Sequence, residues 1–257
     1  MKLAVIGDPV AHSLSPAFFR EYFAGAAVAG TYEAIRVGAG ECAREVARLR
    51  DGGYRGLNVT TPLKEEALAA CDRVNDPEAT ASGSANVLLF QTDGIHGFNT
   101  DTTGALAAVA EALERDDVAG VRILVLGVGP TARAAIWKLG QAGATVAIWN
   151  RAPERARQTA QRYQANMWNG EEVDLVFSTL PPDATLPDDV VRAASGARCV
   201  IDANYGPRAT LAGRLGRAVI DGTTMLRSSA LESFRLFSMP RSEMFASGVA
   251  ATREVWG

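Results

Sequence analysis

Short apolar runs rich in Val, Ile and Leu alternate with longer stretches of mixed character along almost the whole chain. The two lengths predict strands alternating with helices. Residues 2–6 read as a strand, and Pro16 opens a helix reaching about Ala27. Residues 31–36 read as a strand, 40–50 as a helix and 55–59 as a strand, and Pro62 opens a helix through about Cys71. Residues 85–90 and 94–98 form a hairpin pattern with Thr92-Asp93-Gly94 at its turn. A long Ala-rich helix is expected from Thr102 to about Arg115.

Asp116-Asp-Val-Ala-Gly120 is a polar break, after which a second series begins. Val121–Leu126, Ala144–Trp149, Val173–Ser178 and Arg198–Asp202 read as strands, with helices starting near Pro130 and from Pro153. Ala218–Ile220 is a last short strand; the tail from about Thr224 reads as helical, with Pro240 separating two helices. Such alternation predicts parallel sheets with helices on both faces. Two series predict two α/β lobes with a cleft between them.

At 257 residues the chain can hold one large domain or two small ones. A net charge of −3 argues against nucleic acid as a main partner, because phosphate binding needs a basic face. No apolar stretch approaches the roughly 20 residues that span a bilayer, and the start lacks the longer apolar run of a signal peptide. Cys42, Cys71 and Cys199 are widely spaced without a CxxC pair, so no metal site is expected. Free thiols fit a reducing compartment. The expectation is a cytoplasmic protein, monomeric or homodimeric, whose partner is a small molecule.

Gly127-Val-Gly129 follows a strand and precedes a helix, the context of a dinucleotide phosphate loop. Gly127 would permit the tight turn and Gly129 would let backbone approach a pyrophosphate. Pro130 suits the first helical turn, Thr131 follows it, and Ala132 takes the place of the third glycine. Without support the pattern is only a strand-to-helix turn. Support comes from Asn150-Arg151 at the next strand end, with Arg155 one turn later, where an NAD site carries an acid. Two guanidinium groups would clamp a 2′-phosphate, so the expected cofactor is NADP. Arg155 also fits a solvated helix start. Thr179, after the strand ending at Ser178, would border the nicotinamide side.

Asn58-Val-Thr-Thr-Pro-Leu-Lys64 and Asn99-Thr-Asp101 bring chemistry from outside the nucleotide motif. Lys64 stands near the start of the helix expected from Pro62, with Thr61 as its cap. The positive end of a helix dipole disfavours a second positive charge there, which would suit the lysine to acid–base work near neutral pH. Asp101 would cap the next helix, orient Lys64 or accept a bond from a substrate hydroxyl. Taken alone, each residue reads as structural rather than catalytic: Lys64 as a surface lysine and Asp101 as a cap.

Taken together, Gly7-Asp-Pro-Val-Ala-His-Ser13-Leu-Ser15-Pro16, the Asn58–Lys64 segment, Gly83-Ser-Ala-Asn86, Gly97-Phe-Asn-Thr-Asp101, Gly127-Val-Gly129, Asn150-Arg151 and Asp221-Gly-Thr-Thr-Met225-Leu226 resemble the shikimate dehydrogenase family over nearly the whole chain. The resemblance implies reduction of 3-dehydroshikimate to shikimate with NADPH. It implies that Ser13 and Ser15 hold the substrate carboxylate, that Asn58, Thr60, Asn86 and Asp101 read ring hydroxyls, and that Lys64 gives a proton to the C3 oxygen with Asp101 its partner. Tyr205 would lie near the carboxylate and nicotinamide. His12 would have a loop role beside Ser13, and His96 a structural one in the hairpin.

Four positions depart from the family pattern. Ser229 stands where a substrate-contacting glutamine is usual, and Thr224 where a glycine usually lies against the nicotinamide beside Met225. Val87 replaces a threonine, and Ala203 a bulkier apolar residue near the nicotinamide. The chain is therefore expected to be an α/β oxidoreductase of two lobes. Residues 1–101 with 224–257 would form an N-terminal α/β substrate domain, and 102–223 a Rossmann-type doubly wound NADP domain. Quinate or another shikimate analogue is the alternative substrate. A nucleotide-binding sensor without turnover is the rival from another class, and Lys64 and Asp101 speak against it.

Overall fold

The computed structural model describes residues 1–239, which fall into two compact units. Of the described residues, one unit comprises 1–100 and 230–239; the other runs from Asp101 to Ser229.

The first unit is built on β1 (Lys2–Gly7), α1 (Ser15–Gly25), β2 (Thr31–Arg36), α2 (Cys42–Asp51), β3 (Gly56–Val59), α3 (Lys64–Ala69), α4 (Pro77–Ser82), β4 (Val87–Gln91) and β5 (Gly94–Phe98). Its five strands run in the order β2-β1-β3-β4-β5. β1 pairs in parallel with β2 and β3, with Val5 opposite Ala34 and Asn58. β4 pairs antiparallel with both β3 and β5. The sheet is thus mixed rather than parallel, because a tight hairpin at Thr92-Asp93 returns the chain beside itself where a crossover helix would be needed for a parallel neighbour. Gly94 sits at φ +128°, a conformation that other residues rarely adopt.

Alternate residues of the central strands point to opposite faces. On one face Ala4, Ile6, Leu57 and Leu88 pack with Val46, Leu49 and Leu63. On the other, Phe19 stacks on Tyr32 with ring centroids 4.0 Å apart and meets Phe234 edge-on at 6.0 Å. Phe237 approaches Gly56 so closely that a Cβ there would stand 2.5 Å from its ring. The C-terminal half of the last described helix therefore packs onto the first sheet.

The second unit contains α5 (Asp101–Leu113), β6 (Arg122–Leu126), α6 (Pro130–Gln141), β7 (Thr145–Trp149), α7 (Pro153–Tyr163), β8 (Asn166–Met167), β9 (Leu175–Ser178), α8 (Asp188–Gly196), β10 (Cys199–Asp202), α9 (Leu211–Leu215) and β11 (Ile220–Asp221). α10 (Thr223–Ser238) begins in this unit and ends in the first. The six strands are all parallel, in the order β11-β10-β9-β6-β7-β8. Numbered from β6, this is 3-2-1-4-5-6 read from the β8 edge, the Rossmann order. Ile123 and Val125 enter one apolar cluster, and Leu124 and Leu126 enter another. The period of two along a buried strand thus supplies both faces of the sheet.

α4, β8, α8 and α9 are additions to the elements expected from the pattern. Pro62 does not open α3: the Thr61–Pro62 bond is cis, Leu63 N–H closes a turn on the Thr60 carbonyl at 3.0 Å, and the helix starts at Lys64 without a side-chain cap. The expected break at Pro240 lies outside the described residues. Among the described residues no helix is long and apolar enough to cross a membrane.

Candidate functional site

In the second unit, β6 and β9 are neighbours although β7 and β8 lie between them in sequence. At such a switch point the loops after the strands part and leave a crevice at the strands' carboxyl ends. Gly127 leaves β6 at φ +108°, and its N–H bonds the Trp149 carbonyl at 2.9 Å. Across the crevice the Thr179 hydroxyl donates to the Leu126 carbonyl at 3.0 Å. A Cβ on Gly127 would stand 2.6 Å from that hydroxyl oxygen. Gly129, by contrast, has φ −70° and a Cβ there would meet nothing within 4 Å. Gly127 is required by the chain itself, whereas Gly129 faces space that the chain leaves open.

α6 begins at Pro130 directly after the extended Gly129, so its first N–H groups lack a side-chain cap. Ala132 is fully buried in the helix–sheet core, the close packing expected of a small third residue. Thr131 donates to Asp101 Oδ2 at 3.2 Å. At the end of β7, Asn150 donates through its amide to the Ala152 carbonyl at 3.2 Å. Arg151 and Arg155 are exposed, and neither guanidinium has an ionic or hydrogen-bonding partner among the described residues, whereas Arg157 is paired with Glu154. These features fit a bound NADP: open space at Gly129, a capless helix start and two guanidinium groups past β7 that nothing neutralises among the described residues.

The loop after β10 is organised by Asp202, a residue not singled out in the sequence. Its Oδ1 accepts from Asn204 N–H at 3.1 Å and from Asn204 Nδ2 at 2.7 Å, and Oδ2 accepts from Leu211 N–H at 3.3 Å. Burial pushes this carboxyl up from its ordinary range while the Asn204 and Leu211 donors pull it back. Asn204 also donates to the Leu180 carbonyl at 2.9 Å, so the loops carrying Thr179 and Tyr205 are held together. Ala203 N–H bonds the Ser178 carbonyl at 2.8 Å, and Tyr205 is half-buried at the head of a short 3-10 turn. Met225 is a core residue whose backbone lies against Gly104 of α5. Thr224 beside it is half-buried, and Ser229 is buried.

In the first unit Lys64 is only 7% exposed. A buried lysine is rarely left without partners, and the surface reading of Lys64 is excluded. Its carbonyl accepts from Ala85 N–H at 2.9 Å, tying α3 to the residue before Asn86. Thr60 follows β3, its N–H bonds the Ile6 carbonyl at 2.9 Å, and its methyl group lies against Gly7. Ser13 Oγ accepts from Ser15 N–H at 3.2 Å at the start of α1. Ser15 is buried, and Ser13 and His12 are half-buried. His96 meets Asp93 at 2.9 Å within the hairpin, the structural place expected for it.

Asn86 and the 99–100 segment form one buried polar assembly. Asn86 Oδ1 accepts from Thr100 N–H at 2.8 Å and its Nδ2 donates to Thr100 Oγ1 at 3.0 Å. Asn99 donates through Nδ2 to Ser82 Oγ at 2.8 Å and to the Ser84 carbonyl at 3.0 Å. Asp76 anchors the assembly: it caps α4 through Glu78 and Ala79 N–H at 3.2 and 3.1 Å, and accepts from Asn99 N–H at 2.7 Å. Burial raises its pKa above the ordinary 3.8, and the Asn99, Glu78 and Ala79 donors oppose the rise. The sequence reading passed over Asp76, although Asp-Pro-Glu is a legible helix-start signal.

The sequence model of the shikimate dehydrogenase substrate binding domain matches residues 5–88. A shikimate dehydrogenase (NADP(+)) of Methanococcoides burtonii is 33% identical over 250 residues, covering 91% of each chain. The chain belongs to the shikimate dehydrogenase family. Among solved structures, the shikimate dehydrogenase of Aquifex aeolicus has a TM-score of 0.81 at 29% identity, covering 94% of this chain and 95% of that one. The shikimate 5-dehydrogenase of Thermus thermophilus, determined with NADP(H) and shikimate, has a TM-score of 0.79 at 32% identity, covering 93% of each. The resemblance seen in the motifs thus extends over 91% of the chain in sequence and 94% in fold.

Proposed function

We propose that this chain is an NADP-dependent shikimate dehydrogenase that interconverts 3-dehydroshikimate and shikimate, a step of aromatic amino acid (chorismate) biosynthesis. The observation that carries the reading is the burial of Lys64, in a chain related to shikimate dehydrogenases (NADP(+)) over nine-tenths of its length. Bound NADPH supplies the hydride for the ring C3. The Lys64 ammonium gives a proton to the C3 oxygen as the carbonyl becomes a hydroxyl, and in the reverse direction the amine takes it back. Asp101 is the companion carboxylate. Ser13 and Ser15 offer neutral donors to the substrate carboxylate, where the anion itself supplies the charge assistance. Thr60, Asn86 and Tyr205 complete the substrate contacts, with Asn58 and Ser229 beside them.

For the cofactor, the N–H groups of Gly129, Thr131 and Ala132 at the start of α6 favour a pyrophosphate, while Pro130 contributes no donor. Arg151 and Arg155 would take the 2′-phosphate beside Asn150. Thr179, Ala203, Thr224 and Met225 would flank the nicotinamide end. Initial rates with shikimate and NADP test the reading. Robust turnover is expected, and its absence with turnover of another ring acid would reassign the substrate.

Ser229 and Thr224 favour a second reading. A serine in place of the glutamine shortens the reach towards substrate, and a Cβ at 224 crowds the place of a glycine. The same chemistry on quinate or another analogue would follow. A panel of shikimate, quinate and 3-dehydroshikimate, each with both nicotinamide cofactors, separates the two.

A further inference from the structure

A chain of hydrogen bonds within the first unit runs from β2 to α10 through residues of the substrate-reading loops. The Tyr32 hydroxyl donates to Asn58 Oδ1 at 2.9 Å. Asn58 Nδ2 donates to Ser233 Oγ at 2.9 Å and reaches the Asn86 carbonyl at 3.4 Å. Ser233 Oγ lies 3.1 Å from Thr100 Oγ1, which in turn accepts from Asn86. Ser233 is fully buried, and Thr100 and Asn86 nearly so.

The Asn86 carbonyl decides which way the Asn58 amide faces. A carbonyl is an acceptor only, so the nitrogen of Asn58 must lie on that side and its oxygen on the Tyr32 side. Both amide protons of Asn58 are then spent, one on Ser233 and one on Asn86. One lone pair of Oδ1 is all it has left among the described residues. Asn58 can accept a bond from a ring hydroxyl but cannot donate to a ring oxygen without breaking the chain. Ser233 Oγ, which accepts from Asn58, also shares a hydrogen bond with Thr100 Oγ1, and Thr100 is clasped at two points by Asn86.

We propose that Ser233 is a positioning residue for substrate recognition: from α10 it holds Asn58 as a pure acceptor and keeps the Thr100–Asn86 pair in register. This rests on reading the chain as a dehydrogenase of a hydroxylated ring acid. Ser233 touches no substrate. It acts through two residues that come from β3 and from the segment after β5.

The wild type is first assayed on the ring-acid panel, and the acid turned over fastest serves as probe. Ser233→Ala removes only the Oγ atom. It is expected to raise KM for that acid about three- to tenfold, the effect of one lost hydrogen bond, with kcat and KM for NADP within about twofold of wild type. Tyr32→Phe, which frees the same Asn58 from the other side, raises KM in the same direction, and the double variant falls short of the product of the single effects because both act through one side chain. An unchanged KM in Ser233→Ala, multiplicative effects in the double variant, or equal losses in kcat and both KM values would each overturn the positioning role while leaving the functional reading intact. A wild type that turns over no ring acid would overturn the functional reading, and the proposal with it.

Discussion

The Thr131 hydroxyl donates to Asp101 Oδ2 at 3.2 Å, joining the first turn of α6 to the first residue of α5. One bond therefore connects the helix start assigned to the pyrophosphate with the carboxylate assigned as the companion of Lys64. Thr131→Val keeps the shape and removes the donor. It is expected to lower kcat and weaken NADPH together, each by about three- to tenfold. Steady-state kinetics in both substrates check this, and a change confined to NADPH would show that the bond does not orient Asp101.

Lys64→Ala should leave NADPH affinity unchanged and lower kcat about 10²- to 10⁴-fold, the usual range for a lost general acid. Fluorescence titration of NADPH alongside single-turnover rates separates binding from chemistry. Unchanged turnover would remove Lys64 from the mechanism.

The two glycines of the loop after β6 should fail differently. Gly127→Ala forces a side chain onto φ +108° and against Thr179, at a cost of about 1–3 kcal/mol, and should melt several degrees lower without any ligand. Gly129→Ala places its methyl in open space at φ −70°, so the melting temperature of the free protein should hold while NADPH affinity falls at least tenfold. Equal thermal losses in both variants would contradict the assignment of that space to the cofactor.

Arg151→Ala should weaken NADPH about tenfold or more and leave NADH within about twofold, because only NADPH carries the 2′-phosphate. Matching losses for the two cofactors would count against the clamp.

Asp76→Asn keeps the size of the cap but presents an NH₂ group to donors that need an acceptor, and should cost about 1–3 kcal/mol. Its pH dependence has a definite sign. Burial first, against the Asn99, Glu78 and Ala79 donors, raises the folded pKa above 3.8, so the folded state holds a proton that the unfolded state has released. The stability contributed by that proton is full below 3.8 and is lost as pH rises through the folded value. Denaturant titrations of wild type and variant should therefore show a stability difference that shrinks with rising pH over that window and then levels off. A difference that grows would reverse the assignment.

Much of this was legible along the chain because the signals are local. Gly127 and Gly129, Pro130 at the first turn of α6 and Pro153 at the first turn of α7 announce themselves by backbone demands that a few residues express. Pro62 misled for the same reason. Its fixed φ suits a helix start, but it sits in a turn closed between Thr60 and Leu63. Asp76 could have been read as a cap from Pro77 and Glu78. Its second bond, to Asn99, lies 23 residues away and has no sequence signature.

Family, fold class and cofactor type followed from the sequence, since phosphate loops, strand period and the residues after β7 act through neighbours in the chain. Only the tertiary structure decided that Lys64 is buried, that β6 and β9 meet at a switch point, and that Ser233 reaches Asn58 across 175 residues. Burial and long-range hydrogen bonds depend on which elements pack together, and a serine in an amphipathic helix looks the same in sequence whether its hydroxyl meets water or completes a buried chain.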